Sequence, residues 1–311
     1  MRRHRPAVLV LVAATVVLSA CRLAGGPGGS GTPDPSPSAT EGAAVTHPAG
    51  DAVILQLAYA GGFVPAEYVF SSFPTFTLLG DGRVIVVGAQ DLMYPGPALP
   101  PILVRSLTEG GVQAVLHEAL ASGQLDADAD WRGAASHVAD AADSVFRLHA
   151  GGRSVSVSVY ALGLYEPGGP TDWLSEEELA AHRALSALAD RLQSLETWLP
   201  ASDWTVGEWQ AYVPDSLGLL VRNVDGEAPD ESGVERQERD WPLATDPDTF
   251  GQPWSVDQVS RCGTVTDAEA ATWYAELSEA NQLTRWLHDG HRYAVTPRLL
   301  LPGERAACAA S

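Results

Sequence analysis

The sequence predicts an α+β fold: a mostly antiparallel sheet assembled from hairpins, with helices packed on one face. Three observations carry this. β-rich runs occur in pairs around glycine turns, and capped amphipathic helices follow the pairs. The run 154–159 (SVSVSV) then shows how the sheet is buried. Val155, Val157 and Val159 point one way and Ser154, Ser156 and Ser158 the other, so one face is apolar and one polar.

The first hairpin joins residues 75–79 (TFTLL) to 83–87 (RVIVV) through Asp81-Gly82. Thr108 caps the helix that follows, with Val112, Val115, Leu116, Ala119 and Leu120 on one face. The second hairpin joins 145–149 (VFRLH) to the Ser/Val run through Gly151-Gly152. Its helix opens on a capping box, Ser175 with Glu178, and carries the stripe Leu185, Leu188, Leu192, Leu195, Leu199. A third helix is predicted from Thr266, with Glu269 as box partner, burying Ala270, Trp273, Leu277 and Ala280. A third hairpin with an Asp289-Gly290 turn closes the series. Phe76, Leu78, Gly82 and Arg83 align with Phe146, Leu148, Gly152 and Arg153 at an offset of 70, which reads either as a hairpin–helix pseudo-repeat or as the echo any such protein produces. Residues 203–263 are irregular, so a soft boundary near Pro200 separates 51–200 from 201–311, unless both belong to one domain.

The first fifty residues follow different rules. Arg2, Arg3 and Arg5 precede an apolar run from Ala7 to Leu18 and then Ser19-Ala20-Cys21, the three parts of a secretory signal. The run is too short to span a bilayer, which takes about 20 residues. Leu18-Ser19-Ala20-Cys21 resembles the lipobox of bacterial lipoproteins. That resemblance implies removal of residues 1–20, a diacylglycerol thioether on Cys21, and acylation (typically palmitate) of the new amino terminus. The expected location is the extracytoplasmic face of the cell membrane, with the bilayer as the partner of acylated Cys21. From 22 to about 50 the chain is mostly Gly, Pro, Ser, Thr and Ala, which reads as a flexible tether.

Composition narrows the partners. The net charge is −20, and loss of the three signal arginines takes it to about −23. There is no lysine. Such a surface repels nucleic acid phosphates and anionic headgroups. With Cys21 lipidated, Cys262 and Cys308 remain, and an even remainder in an exported chain reads as one disulfide. Closing so long a loop stabilises the fold by roughly 3–4 kcal/mol on the chain-entropy account.

No catalytic signature emerges. The elbow G-x-S-x-G is absent, since Pro214-Asp-Ser216-Leu-Gly218 lacks its first glycine, and without lysine there is no Ser-x-x-Lys, P-loop or Schiff base. Asp126, Asp128 and Asp130 match the first three positions of a calcium loop, but Trp131 stands where glycine is required and His137 where glutamate is. A solvated acidic loop is the competing reading, with Asp140 and Asp143 nearby. His288 and His291 flank a two-residue turn and would face each other, close enough to share zinc but without a third ligand. Trp198, Trp204, Trp209 and Tyr212, with Trp241 and Trp254, form either an aromatic platform for sugars or cell-wall polymer, or packing.

The region 52–308 resembles uncharacterised actinobacterial lipoproteins. The resemblance lies in Gly-Gly-Phe63-Val-Pro65, residues 74–82 (PTFTLLGDG), Tyr94-Pro-Gly-Pro97 and 299–304 (LLLPGE). It implies the compartment and no activity. The expectation is a non-catalytic envelope protein, without cofactor, that binds an envelope protein or ligand. The alternative is an exported hydrolase using Asp and Glu as acid and base.

Overall fold

The computed structural model describes residues 43–90, 92–134, 139–164, 173–227, 233–306 and 308. The signal segment, Cys21, most of the glycine–proline stretch and His137 lie outside them. Residues 43–311 form one compact unit. Among the described residues there are four helices and fourteen strands in two mixed, mostly antiparallel sheets, the α+β class the sequence predicts.

The first sheet contains β1 (Val53–Gly61), β2 (Phe76–Leu79), β3 (Arg83–Val87), β4 (Ile102–Ser106), β5 (Ala129–Trp131), β6 (Ala142–Ala150), β7 (Arg153–Tyr160) and β8 (Gln210–Ala211). Their order is β5-β7-β6-β1-β2-β3-β4-β8, and only β5–β7 is parallel. The central β1 takes both predicted hairpins in the same register. Leu57 pairs with Phe76 on one side and Phe146 on the other, and Leu55 pairs likewise with Leu78 and Leu148. The sequence echo at offset 70 therefore marks equivalent rungs. The hairpins nonetheless turn outward to opposite edges, β3 beyond β2 and β7 beyond β6. No rotation superposes them with their apolar faces matched, so the likeness is one of strand pattern.

Two helices cover that apolar face. In α2 (Glu109–Ala121) Thr108 accepts from the Gly111 amide, and Val112, Val115, Leu116 and Ala119 are buried. In α3 (Glu176–Gln193) both halves of the Ser175–Glu178 capping box form. Its leucine stripe is buried throughout, with Leu195 and Leu199 continuing past the helix end. They pack on Leu55, Leu57, Phe76, Leu78, Phe146, Leu148 and the three valines of β7. Ser154 and Ser156 are exposed, so the alternation sorts inside from outside as expected.

The second sheet contains β9 (Ser216–Asn223), β10 (Glu238–Asp240), β11 (Gln252–Pro253), β12 (Arg261–Thr266), β13 (Arg285–His288) and β14 (His291–Leu299), in the order β10-β13-β14-β9-β12-β11. With α4 (Asp267–Ser278) it packs on Leu79, Ile85 and Ile102, which project from the opposite face of the first sheet. A short helix, α1 (Ala66–Ser71), lies against β14, its Phe70 buried edge-on to Trp254. Cys262 and Cys308 join there, their sulfurs 2.07 Å apart.

Three boundaries differ from the sequence reading. The soft division at Pro200 separates nothing: Trp204 belongs to the first core, and β8 pairs with β4. The irregular stretch crosses between cores instead of linking two domains. The tether ends before residue 50, because the Gln113 amide grips the backbone of Val45 from both sides (2.7 and 3.0 Å) and Gly151 N donates to Thr46 O. Pro48 runs so close to Gly80 that a Cβ there would meet its carbonyl oxygen at 2.2 Å. The third capping box does not form, although α4 buries Ala270, Trp273 and Leu277 as predicted. Thr266 is the last residue of β12, paired with Ser216, and its hydroxyl donates to Asp267.

Candidate ligand-binding cleft

At one end of β1 the chain opens a cleft of about 710 Å³. Its construction begins with Gly61 and Gly62, whose φ values of +70° and +85° few side chains tolerate. They end β1 and turn the chain through Phe63 to Pro65, whose carbonyl accepts from Tyr68 N and Val69 N at the start of α1. Phe70 points inward while Tyr68 and Val69 face out. The opposite wall is the loop between β3 and β4, fastened at its base by Gly88 N donating to Pro101 O. Its far side is held to the end of α4 by Ala98 N to Ala280 O and Gln282 N to Gly96 O. Phe73, Ile102 and Val295 form apolar lining, with the Gln90 and Gln282 amides beside them.

The rim is unusual for a soluble surface. Of the fourteen large apolar residues exposed among the described residues, nine lie between 59 and 94, and five of these, Tyr59, Val64, Tyr68, Val69 and Val87, line the cleft. Tyr68 is 64% exposed and Tyr59 50%. Scattered single apolar residues are ordinary, whereas a concentration around one concavity marks an interaction site. Asp140 is the one acidic residue on the cleft wall among the described residues, and neighbouring Asp143 is bound to Arg132.

The metal and aromatic candidates of the sequence lie elsewhere and do not assemble. Asp126 pairs with Arg153, Asp128 accepts from Ser156 N (2.8 Å) and Asp130 pairs with Arg132 (3.0 Å). Each carboxylate fastens β5 or its approach to a different partner, so the three do not converge as a calcium loop requires. No group of three or more His, Cys, Asp or Glu poised for a metal occurs among the described residues. His288 and His291 do face each other across the turn, but His291 turns to Asp225, whose carboxylate raises the imidazole's pKa. The six aromatics disperse through three clusters. Trp204 and Trp209 stack edge-on at 5.7 Å, with Arg105 over Trp204. Arg191 covers Trp198, Tyr212 and Trp241 sit in the second core, and Trp254 packs on Phe70. These six are packing and form no shared platform.

The residues that form the cleft carry no periodic signal. What marks them in the sequence is large apolar side chains inside glycine- and proline-bounded loops (GGFVP, LMYPGP), where turn chemistry calls for polar ones. Comparison with known protein families, curated proteins and solved structures returns no match.

Proposed function

We propose that this chain is an exported lipoprotein, acylated on Cys21 and held at the extracytoplasmic face of the cell membrane, whose domain binds an apolar ligand in the cleft without transforming it. The observation that carries the binding half is the gathering of exposed apolar side chains around one concavity. The anchoring half rests on the basic start, the short apolar run and Leu18-Ser19-Ala20-Cys21. No helix among the described residues is long and apolar enough to cross a membrane. Stable attachment would then depend on acyl chains, two or more of which hold where one is marginal.

The two halves are tested separately. Cys21→Ala should move the protein from the membrane to the soluble fraction, and retention at the membrane refutes the anchor. Nile red, an uncharged apolar dye, should bind and fluoresce with the parent chain, and Val69→Asp on the cleft rim should abolish the signal. An undiminished signal in a folded Val69→Asp variant rules out the cleft.

A further inference from the structure

A second hollow of about 480 Å³ adjoins the cleft, and the two share Tyr59, Ser72 and Phe73. Its character is opposite. Arg147 and Arg298 line it with Glu304, so its charged lining is formally +1 in a chain whose net charge is −20. Glu304 is engaged with Arg298 and also accepts from Leu301 N (3.0 Å). Arg147 is exposed, and its hydrogen-bond partner is the neutral Gln56 side-chain carbonyl at 3.0 Å. Among the described residues no carboxylate lies within ion-pair distance of it. Most other arginines here hold an acidic partner, so a guanidinium left with an amide is conspicuous.

The strand geometry joins the two hollows. Gln56, Ala58 and Ala60 lie on one face of β1, and Arg147 is the direct cross-strand partner of Gln56. Gln56 and Ala58 line the basic hollow and Ala60 the cleft. Four residues of strand span roughly 14 Å, and the two alanines leave that row low. Charge is graded along it. The arginines stand at one end, and Asp140 and Asp143 stand at the cleft end, Asp143 opposite Ala60.

Building on the cleft reading above, we propose that the ligand is a single-chain amphiphile with an anionic head, its head at Arg147 and its hydrocarbon tail over the alanine row into the cleft. Arginine offers a planar donor fork to a carboxylate or phosphate, and the tail removes the cleft's apolar wall from water. The Asp140 carboxylate at the cleft end repels an anion, so one orientation is selected.

The test uses the full chain carrying Cys21→Ala, with Nile red displacement by hexadecanoate, hexadecanol and acetate. Hexadecanoate should displace the dye at about tenfold lower concentration than hexadecanol, the worth of one charge-assisted contact. Acetate should not displace it. Arg147→Gln should erase the preference for the acid while leaving hexadecanol unchanged, and Arg147→Lys should restore part of it. A thermal melt matching the parent shows that each variant is folded. Equal displacement by acid and alcohol, or a preference that survives Arg147→Gln, overturns the head-group assignment and leaves the cleft standing. Failure of both long-chain compounds against a dye that Val69→Asp still abolishes likewise overturns the amphiphile alone. Dye binding indifferent to Val69→Asp removes the cleft reading itself.

Discussion

The two main cores of this domain are built from different materials. The first, beneath α2 and α3, is aliphatic: among the described residues three of its twenty-six buried members are aromatic. The second, around α4, has six of nineteen. Its centre is a chain of rings, with Trp273 against Trp286 at 4.6 Å and against Trp241 at 5.0 Å, and Trp241 continuing to Tyr293. The first core rests on two amphipathic helices whose small contributions are spread along regular stripes. The second has one helix and gathers large rings from segments far apart in sequence. Interlayer packing in the one is distributed, and in the other it is concentrated on a few side chains.

The sharpest way to break that contrast is truncation at each centre. Trp273→Ala should cost about 3–5 kcal/mol, at the upper end because it makes two edge-on ring contacts, with Trp241 and Trp286. Leu116→Ala in α2 should cost about 2–5 kcal/mol and fall below it. Denaturant melts of the two variants measure the difference, and equal losses would mean that the aromatic core is no more concentrated than the aliphatic one. Next comes the covalent tie. Replacing Cys262 and Cys308 with Ala together should cost roughly 3–4 kcal/mol, given a 46-residue separation. Hydrogen exchange should show the loss first in β12 and its neighbours, with α3 protected as before.

The helix starts provide a smaller comparison. Ser175→Ala removes a complete capping box and should cost about 1 kcal/mol. Thr266→Ala should change stability by less than about 0.5 kcal/mol, because the Thr266 hydroxyl caps nothing. A loss at Thr266 equal to that at Ser175 would contradict the geometry. The gentlest probe is pH. His182, fully buried against the edge of Trp173, has its pKa lowered by desolvation, against the opposing pull of Glu178 and the Trp131 backbone. A folded pKa below the unfolded one gives stability that is present above about pH 6.5 and declines as pH falls below it. Burial raises Tyr293 to about 12, so its contribution is present below about pH 10 and is lost as pH climbs toward 12. The fall of melting temperature on the acid side should therefore be blunted by His182→Gln, and the fall on the alkaline side by Tyr293→Phe.

The same contrast explains what the sequence disclosed. The first core was legible because its signals are local: valine–serine alternation in β7, leucines at helical spacing in α3, and glycines at the turns. The pairing partners were less so. Nothing in the local pattern of β1 shows that it sits between β2 and a strand some seventy residues further on. Thr266 failed as a cap for a tertiary reason, its backbone being committed to the ladder with β9. Val45 reads as tether because its neighbours are small and polar, yet Gln113, distant in sequence, gives its backbone a partner. The cleft escaped because its exposed aromatic and aliphatic side chains obey no period. The aspartates of 126–130 mislead in the opposite direction: their spacing fits a metal loop, while three separate partners, Arg153, the Ser156 amide and Arg132, decide their use.

The position of β14 has a consequence in time. It is the last strand among the described residues, and it lies inside the second sheet, between β13 and β9. Its partner β9 is complete by Asn223, so β9 waits for nearly seventy residues before its neighbour exists. The first sheet has no such delay across β1 to β4, whose contacts form between successive strands. A chain that emerges from its amino terminus can thus close much of one half while Leu217, Leu219 and Val221 of the other remain bare. The interval before β14 arrives is when this protein most needs shelter from its own copies.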